Sequence, residues 1–186
     1  MNLIRQTQEN SMSQSQLLFD LESTGLLRRG SKIHCIVFRD LANGEPKIFD
    51  HKEERTIIQG IKRLESADVL IGHNIINFDI PLIKEQFPDF NPKGSAIDTL
   101  VLSRLFYPHI RERDFERQPT GMPVKLYGSH GLEAWGYRLK CFKGDYGKNH
   151  NAWHTYTPEM LDYCIQDTEV TMKVWEIMQR RMKDYA

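Results

Sequence analysis

The sequence predicts one α/β domain, a mixed five-stranded sheet with helices packed on it. Three observations carry this reading. The first third alternates short β-rich runs with tight turns. From about residue 53 the apolar spacing turns helical, broken by short buried runs. The chain then closes on a long amphipathic helix. The 186 residues are 40% hydrophobic, which suits a single globular domain with a sizeable core.

The elements follow in order. "MNLIRQTQENSMSQSQ" is polar and lacks an apolar signal-peptide core, so residues 1–16 read as a flexible arm and 17–186 as the domain. Met12 is an alternative start, with Met1–Ser11 as an upstream extension. Gln16–Leu21 and Ile33–Arg39 read as strands, with turn residues between them. Asn43-Gly44 is a hairpin signal leading to a third strand near Lys47–Asp50. Ile57, Ile58, Ile61 and Leu64 then mark the apolar face of a helix. "DVLIGHN" is a short buried strand closing on Gly72, and Ile80–Phe87 is helical, with Pro81 tolerable only in the first turn. "GSAIDT" is a fifth strand. Asp98 caps the helix of "TLVLSRLFY". Pro108–Gly128, with three prolines and the charge run "RERDFER", reads as irregular. "SHGLEAWGYRL" is a short helix and Lys140–Thr157 a polar loop. Pro158–Arg181 is the long helix, with Thr157 as N-cap. If the fourth strand pairs parallel beside the first, the first is central. That is a fold of ribonuclease H-like type.

Composition narrows the function. Formal net charge is +0, so a nucleic-acid partner needs a local patch or metal ions. Cys35, Cys141 and Cys164 show no CxxC spacing, which argues for reduced thiols in a cytosolic setting and against zinc or disulfides. No apolar run approaches the ~20 residues of a membrane span.

The acids carry the chemistry. In "LLFDLESTGL", Asp20 and Glu22 are two apart on a strand and so share a face. They lie near its carboxyl end, where open α/β sheets bind ligands. Two adjacent carboxylates repel, and something positive must compensate. Asp79 follows the fourth strand in "GHNIINFDIP". In "YCIQD", Tyr163 and Asp167 share a helical face with apolar Met160, Val170 and Val174, whereas Asp162 and Glu169 are nearer the wet side. Taken singly, the Asp20–Glu22 pair reads as neutralised by Arg, Lys or water, Asp79 as a helix cap and Asp167 as a helix-face acid; if the fold gathers them on one face, they form one oxygen-rich cluster without a His/Cys pattern. Such donors select magnesium or manganese over zinc. Two ions about 3.5–4 Å apart would form the clamp used in phosphoryl displacement.

Asp-x-Glu on a first strand, Asn-x3-Phe-Asp after a later one and Tyr-x3-Asp on a last helix resemble the DEDD exonucleases in their tyrosine-bearing branch. These are 3′–5′ exonucleases of ribonuclease H-like fold that include polymerase proofreading domains. "HNIINFDIP", "AIDTLVLSRL" and "GSHGLEAWGYRL" are similar to the exonuclease domain of the single-chain, family A DNA polymerases of lytic bacteriophages.

The resemblance implies the roles. Asp20, Glu22 and Asp167 match ligands of a first divalent ion, Mg2+ or Mn2+. Asp20 also reaches a second, which Asp79 assists through water. Tyr163, with Glu22, matches the tyrosine that positions the attacking water. A phenol titrates near ~10 and is a poor base at neutral pH, so this hydroxyl orients. Ser23 and Leu26 match contacts to the terminal nucleotide, and Asn74 and Phe78 line the same pocket. The implied reaction releases 5′-nucleotides from the 3′ ends of single-stranded DNA, in proofreading or DNA processing during phage replication. The chain is then a stand-alone protein, with a separate DNA polymerase subunit as partner, or a polymerase fragment. Its implied location is the cytoplasm of a bacterial host. RNA 3′-end trimming and a non-catalytic DNA-binding or clamp module are the alternatives.

Other residues have competing readings. His73 is a hydrogen-bonding residue at a strand end rather than a base. "KCFKGDYGKNHNAWH" interleaves Lys140, Lys143 and Lys148 with Phe142, Tyr146 and Trp153, which suits unpaired bases or a docked loop equally. Arg111, Arg113 and Arg117 grip phosphates or belong to a solvated charged loop. Leu132, Trp135 and Leu139 are core residues.

Overall fold

The computed structural model describes residues 14–25, 30–41, 44–52, 56–141 and 153–184. Leu26 and most of the Lys140–Thr157 segment lie outside them. Five strands form one sheet: β1 (Gln16–Ser23), β2 (Ile33–Asp40), β3 (Pro46–Asp50), β4 (Val69–Gly72) and β5 (Ser95–Asp98). Their order is β3-β2-β1-β4-β5, so β1 is central. It pairs antiparallel with β2 and parallel with β4. The helices are α1 (Ile57–Glu65), α2 (Asp79–Gln86), α3 (Thr99–Phe106), α4 (Ile110–Arg117), α5 (Leu132–Arg138) and α6 (Pro158–Asp184).

The alternation of β1 sorts the two faces. Leu17, Phe19 and Leu21 enter one core with Ile61 and Leu64 of α1 and Leu82 and Ile83 of α2. Leu18 enters the other, with Trp135 of α5 and Val170 and Val174 of α6. Period two then puts Asp20 and Glu22 on the α6 side. β1 pairs with β4 only over Gln16–Leu18, so Asp20–Ser23 run on beyond that pairing.

Three local expectations change. Ile58 is 55% exposed, because Ile57, Ile61 and Leu64 already fill the α1 stripe. β1 runs two residues past Leu21, because β2 continues to pair with it through a bulge at Glu22/Ser23. Residues 110–117 are helical, not irregular. The prolines at 108, 119 and 123 flank this helix rather than interrupt it. Ile110 and Asp114, one turn apart, are both buried. Asp114 accepts two hydrogen bonds from Arg138, at 2.9 and 2.7 Å. Burial opposes its charge, but those bonds outweigh burial and hold the carboxyl below its ordinary value.

The hairpin and caps follow the residues that signalled them. Gly44, at φ +71°, donates to Asp40 O at 2.8 Å in the β2–β3 turn. Asp98 accepts from Leu100 N at the start of α3, and Thr157 from Met160 N in the first turn of α6.

Candidate active site

A groove of about 260 Å³ opens beside the carboxyl end of β1. Four elements or their flanks bring the motif residues to it. Asp20 and Glu22 come from β1, Asn74 and Phe78 from the turn after β4, Asp79 from the start of α2, and Tyr163 and Asp167 from α6. All four acids and the tyrosine of the three motifs therefore meet in one place. Trp153 and Leu132 also line the groove.

Each side chain is placed by a specific local device. Gly72 ends β4 where a Cβ would lie 2.2 Å from Ile75 Cγ2 and 2.9 Å from Phe19 O. Only glycine lets the chain turn there against β1. Asn74 follows in the left-handed region, at φ 67°. Its amide and that of Ile76 donate to the two carboxylate oxygens of Asp98, at 2.8 and 3.1 Å. Asp98 thus holds the turn that carries Asn74 and Phe78 while it caps α3. His73 shares a 2.9 Å hydrogen bond with Thr99, the strand-end role expected of it.

Asp79 is 3% exposed and Asp167 4%. Burial pushes the Asp79 pKa up to about 7. The charges of Asp98 and Asp167 push the same way, against hydrogen bonds from the Asp79 and Leu21 backbone. Its Oδ1 is buried with no hydrogen-bond partner among the described residues. A buried carboxylate oxygen in that state is costly unless positive charge is supplied.

Cys164, next to Tyr163, is a neighbour that residue spacing did not reveal. Its Sγ lies 3.6 Å from Asp20 Oδ2. Donor atoms of Asp20, Glu22 and Cys164 all fall within 4.8 Å of one another. Burial holds this thiol well above its ordinary pKa, with Cys35 and the charges of Asp20 and Glu22 adding to the effect. In the metal-free chain it is therefore a neutral donor to Asp20. The anionic donors are all carboxylates, which fits hard divalent cations.

The substrate-side residues divide. Asn74 and Phe78 line the groove; Ser23 does not. Ser23 is buried, and its hydroxyl donates to Gly25 O at 2.8 Å. Leu26 lies outside the described residues. The Trp153 ring meets Tyr163 edge-on, centroids 5.8 Å apart. Its carbonyl accepts from His34 Nε2 at 3.0 Å, which ties the segment before α6 to β2. The sequence signal for Trp153 was its place among lysines and aromatic rings.

Comparison with known proteins gives the family and the fold. Residues 10–118 match the model of "DNA polymerase family B, exonuclease domain". The DNA-directed DNA polymerase of Enterobacteria phage T3 is 32% identical over 182 residues, covering 86% of this chain and 26% of the phage protein. That of Escherichia phage T7 is 31% identical with the same coverage. The chain thus spans about a quarter of the length of these relatives. Among solved structures, Brucella melitensis NrnC with bound Mg2+ superposes with a TM-score of 0.60 at 14% identity, over 94% of this chain and 77% of that one. Escherichia coli RNase D, an exoribonuclease involved in structured RNA processing, gives 0.59 at 14% identity, over 91% and 40%. The phage relatives bear out the phage likeness read from the sequence, and the family model is that of the family B enzymes. The chain belongs to the polymerase exonuclease-domain family, with the ribonuclease H-like fold of the DEDD-type 3′–5′ exonucleases.

Proposed function

We propose that the groove hydrolyses the terminal phosphodiester of single-stranded DNA from the 3′ end, releasing 5′-nucleotides. The observation that carries this is the convergence of Asp20, Glu22, Asp79, Tyr163 and Asp167 on one groove from three separated segments. Asp20, Glu22 and Asp167 would hold one divalent cation, and Asp20 with Asp79 a second, Mg2+ or Mn2+. When bound, such ions polarise water and neutralise charge at phosphorus and the departing 3′ oxygen.

The chain's own residues do the rest. Tyr163 and Glu22 orient the attacking water. Phe78 and Asn74 face the terminal nucleotide, and Trp153 offers a ring against its base. The buried acid cluster repels a bare phosphodiester, so the metal-free groove binds the reacting end weakly.

The phage polymerase relatives support DNA as substrate and a role in proofreading or DNA processing in phage replication, with a DNA polymerase as partner in the host cytoplasm. Among the described residues no helix is long and apolar enough to cross a membrane. The likeness to RNase D and NrnC keeps an RNA 3′ end as the second reading. The test uses DNA and RNA oligonucleotides labelled at the 5′ end, with Mg2+ or Mn2+. A ladder shortening from the 3′ end of DNA, abolished by EDTA and by Asp20→Ala, is the expected result. Preferential trimming of RNA would move the assignment to the second reading. An intact oligonucleotide in every lane would sink both.

A further inference from the structure

The acidic groove is not alone beside the sheet. A second, of about 400 Å³, lies between α4, α5 and the far half of α6. Its lining includes Tyr107, Arg113, Arg117, Trp135, Arg138 and Lys140. Four cationic side chains face one acid, Asp114, in a chain whose formal net charge is +0. Asp114 is fully engaged. It accepts from Arg138 through both oxygens and from Gly128 N.

Arg138 is the telling residue. Its side chain is only 9% exposed. Nε and Nη2 go to Asp114, but Nη1 is buried with no hydrogen-bond partner among the described residues. The guanidinium rests 5.2 Å from the Trp135 ring, which shields it from water on that side. A guanidinium prefers all its N–H groups satisfied, and Arg138 lines the groove with one N–H group unsatisfied. Arg113 lies 5.0 Å from the Tyr107 ring and Arg181 5.3 Å, so cations and aromatic surface are interleaved here. Such a combination suits phosphates joined by unpaired bases.

The two grooves are linked. α5 carries Leu132 in the acidic groove and Arg138 in the basic one, about 9 Å apart along a helix of ~1.5 Å rise per residue. On α6, Asp167 and Ile177 are likewise separated by about 15 Å. At roughly 3.4 Å per stacked nucleotide, these two distances are about three and about four nucleotides.

We infer that the basic groove holds the phosphodiester backbone of the substrate strand, a few nucleotides 5′ of the end that enters the acidic groove. This inference rests on the nuclease reading. It assigns Arg113, Arg117 and Lys140 to affinity for longer strands, with Arg138 at the groove floor. The bond-breaking step does not involve them.

The test is Arg113→Gln/Arg117→Gln, on exposed or half-exposed positions of α4, rather than Arg138→Gln, which strips Asp114 of its partner. Strand binding is followed by fluorescence anisotropy in EDTA, and turnover with Mn2+. A strand of roughly 12 nucleotides is compared with a dinucleotide too short to span both grooves. The expected result is a Kd and KM for the long strand raised on the order of tenfold, with a salt slope reduced by about 1.4 for two lost contacts. Dinucleotide turnover and kcat stay at wild-type values. Unchanged affinity and slope on the long strand overturn the inference and leave the groove to an acidic protein segment. Equal loss on both substrates overturns it too. Failure of the wild type to cleave either substrate, with the long strand still bound through Arg113 and Arg117, instead defeats the nuclease reading alone.

Discussion

Asp79 shows what a single buried acid implies. Its carboxyl moves from an ordinary 3.8 to about 7 in the folded chain. The folded state therefore holds the proton more tightly than the unfolded state. Its stabilising effect is full below pH ~4 and is lost as pH rises through about 7. The rise from 3.8 to about 7 corresponds to something on the order of 4 kcal/mol. Metal-free protein is thus expected to lose thermal stability between about pH 4 and pH 7, and Asp79→Asn to lose less. Calorimetry in EDTA checks this; parallel pH profiles for the two proteins would refute it. Tyr163 separates positioning from metal binding. Tyr163→Phe is expected to lower kcat about 10²-fold, whereas Asp20→Ala falls to the EDTA background. Equal loss in the two variants would make the tyrosine more than an orienting hydroxyl.

At the scale of elements, the turn after β4 is the most constrained piece of the site. Gly72 is pressed between Ile75 and the Phe19 carbonyl, so Gly72→Ala must displace the turn or β1. Urea unfolding should show a loss of about 1–3 kcal/mol, typical of overpacking. Activity should fall further than stability accounts for, because Asn74, Phe78 and Asp79 move together. A variant with wild-type stability and kcat would show that the turn has room to spare. The N-cap of α6 is a milder control. Thr157→Ala is expected to cost ~1 kcal/mol through the lost bond to Met160 N.

For the whole molecule, metal binding and folding are linked. The acids come from β1, α2 and α6, and the unfolded chain cannot present them together. A cation held by the folded state alone should add about 2.7 kcal/mol at a hundred times its Kd. The expected outcome is a Tm that climbs with Mn2+ in the wild type and barely moves in Asp167→Asn. The same rise in the variant would place the bound ion elsewhere.

The sequence by itself determined the strands, a mixed five-stranded sheet and the identity of the clustered acids, while the central place of β1 hung on a parallel pairing with β4 that the structure supplied. These are short-range signals. A two-residue period puts Asp20 beside Glu22, a four-residue period puts Tyr163 over Asp167, and Asp98 and Thr157 cap because their oxygens reach amides two or three residues on. Only the tertiary structure decided the rest. Residues 110–117 read as a charged loop because the partner that stabilises them, Arg138, is 24 residues from Asp114. Cys164 read only as a reduced thiol, and its contact with Asp20 spans 144 residues. Leu132 and Trp153 gain their places in the groove in the same way. Local periodicity shows which face a side chain takes. What it meets there depends on chain crossings that no local pattern encodes.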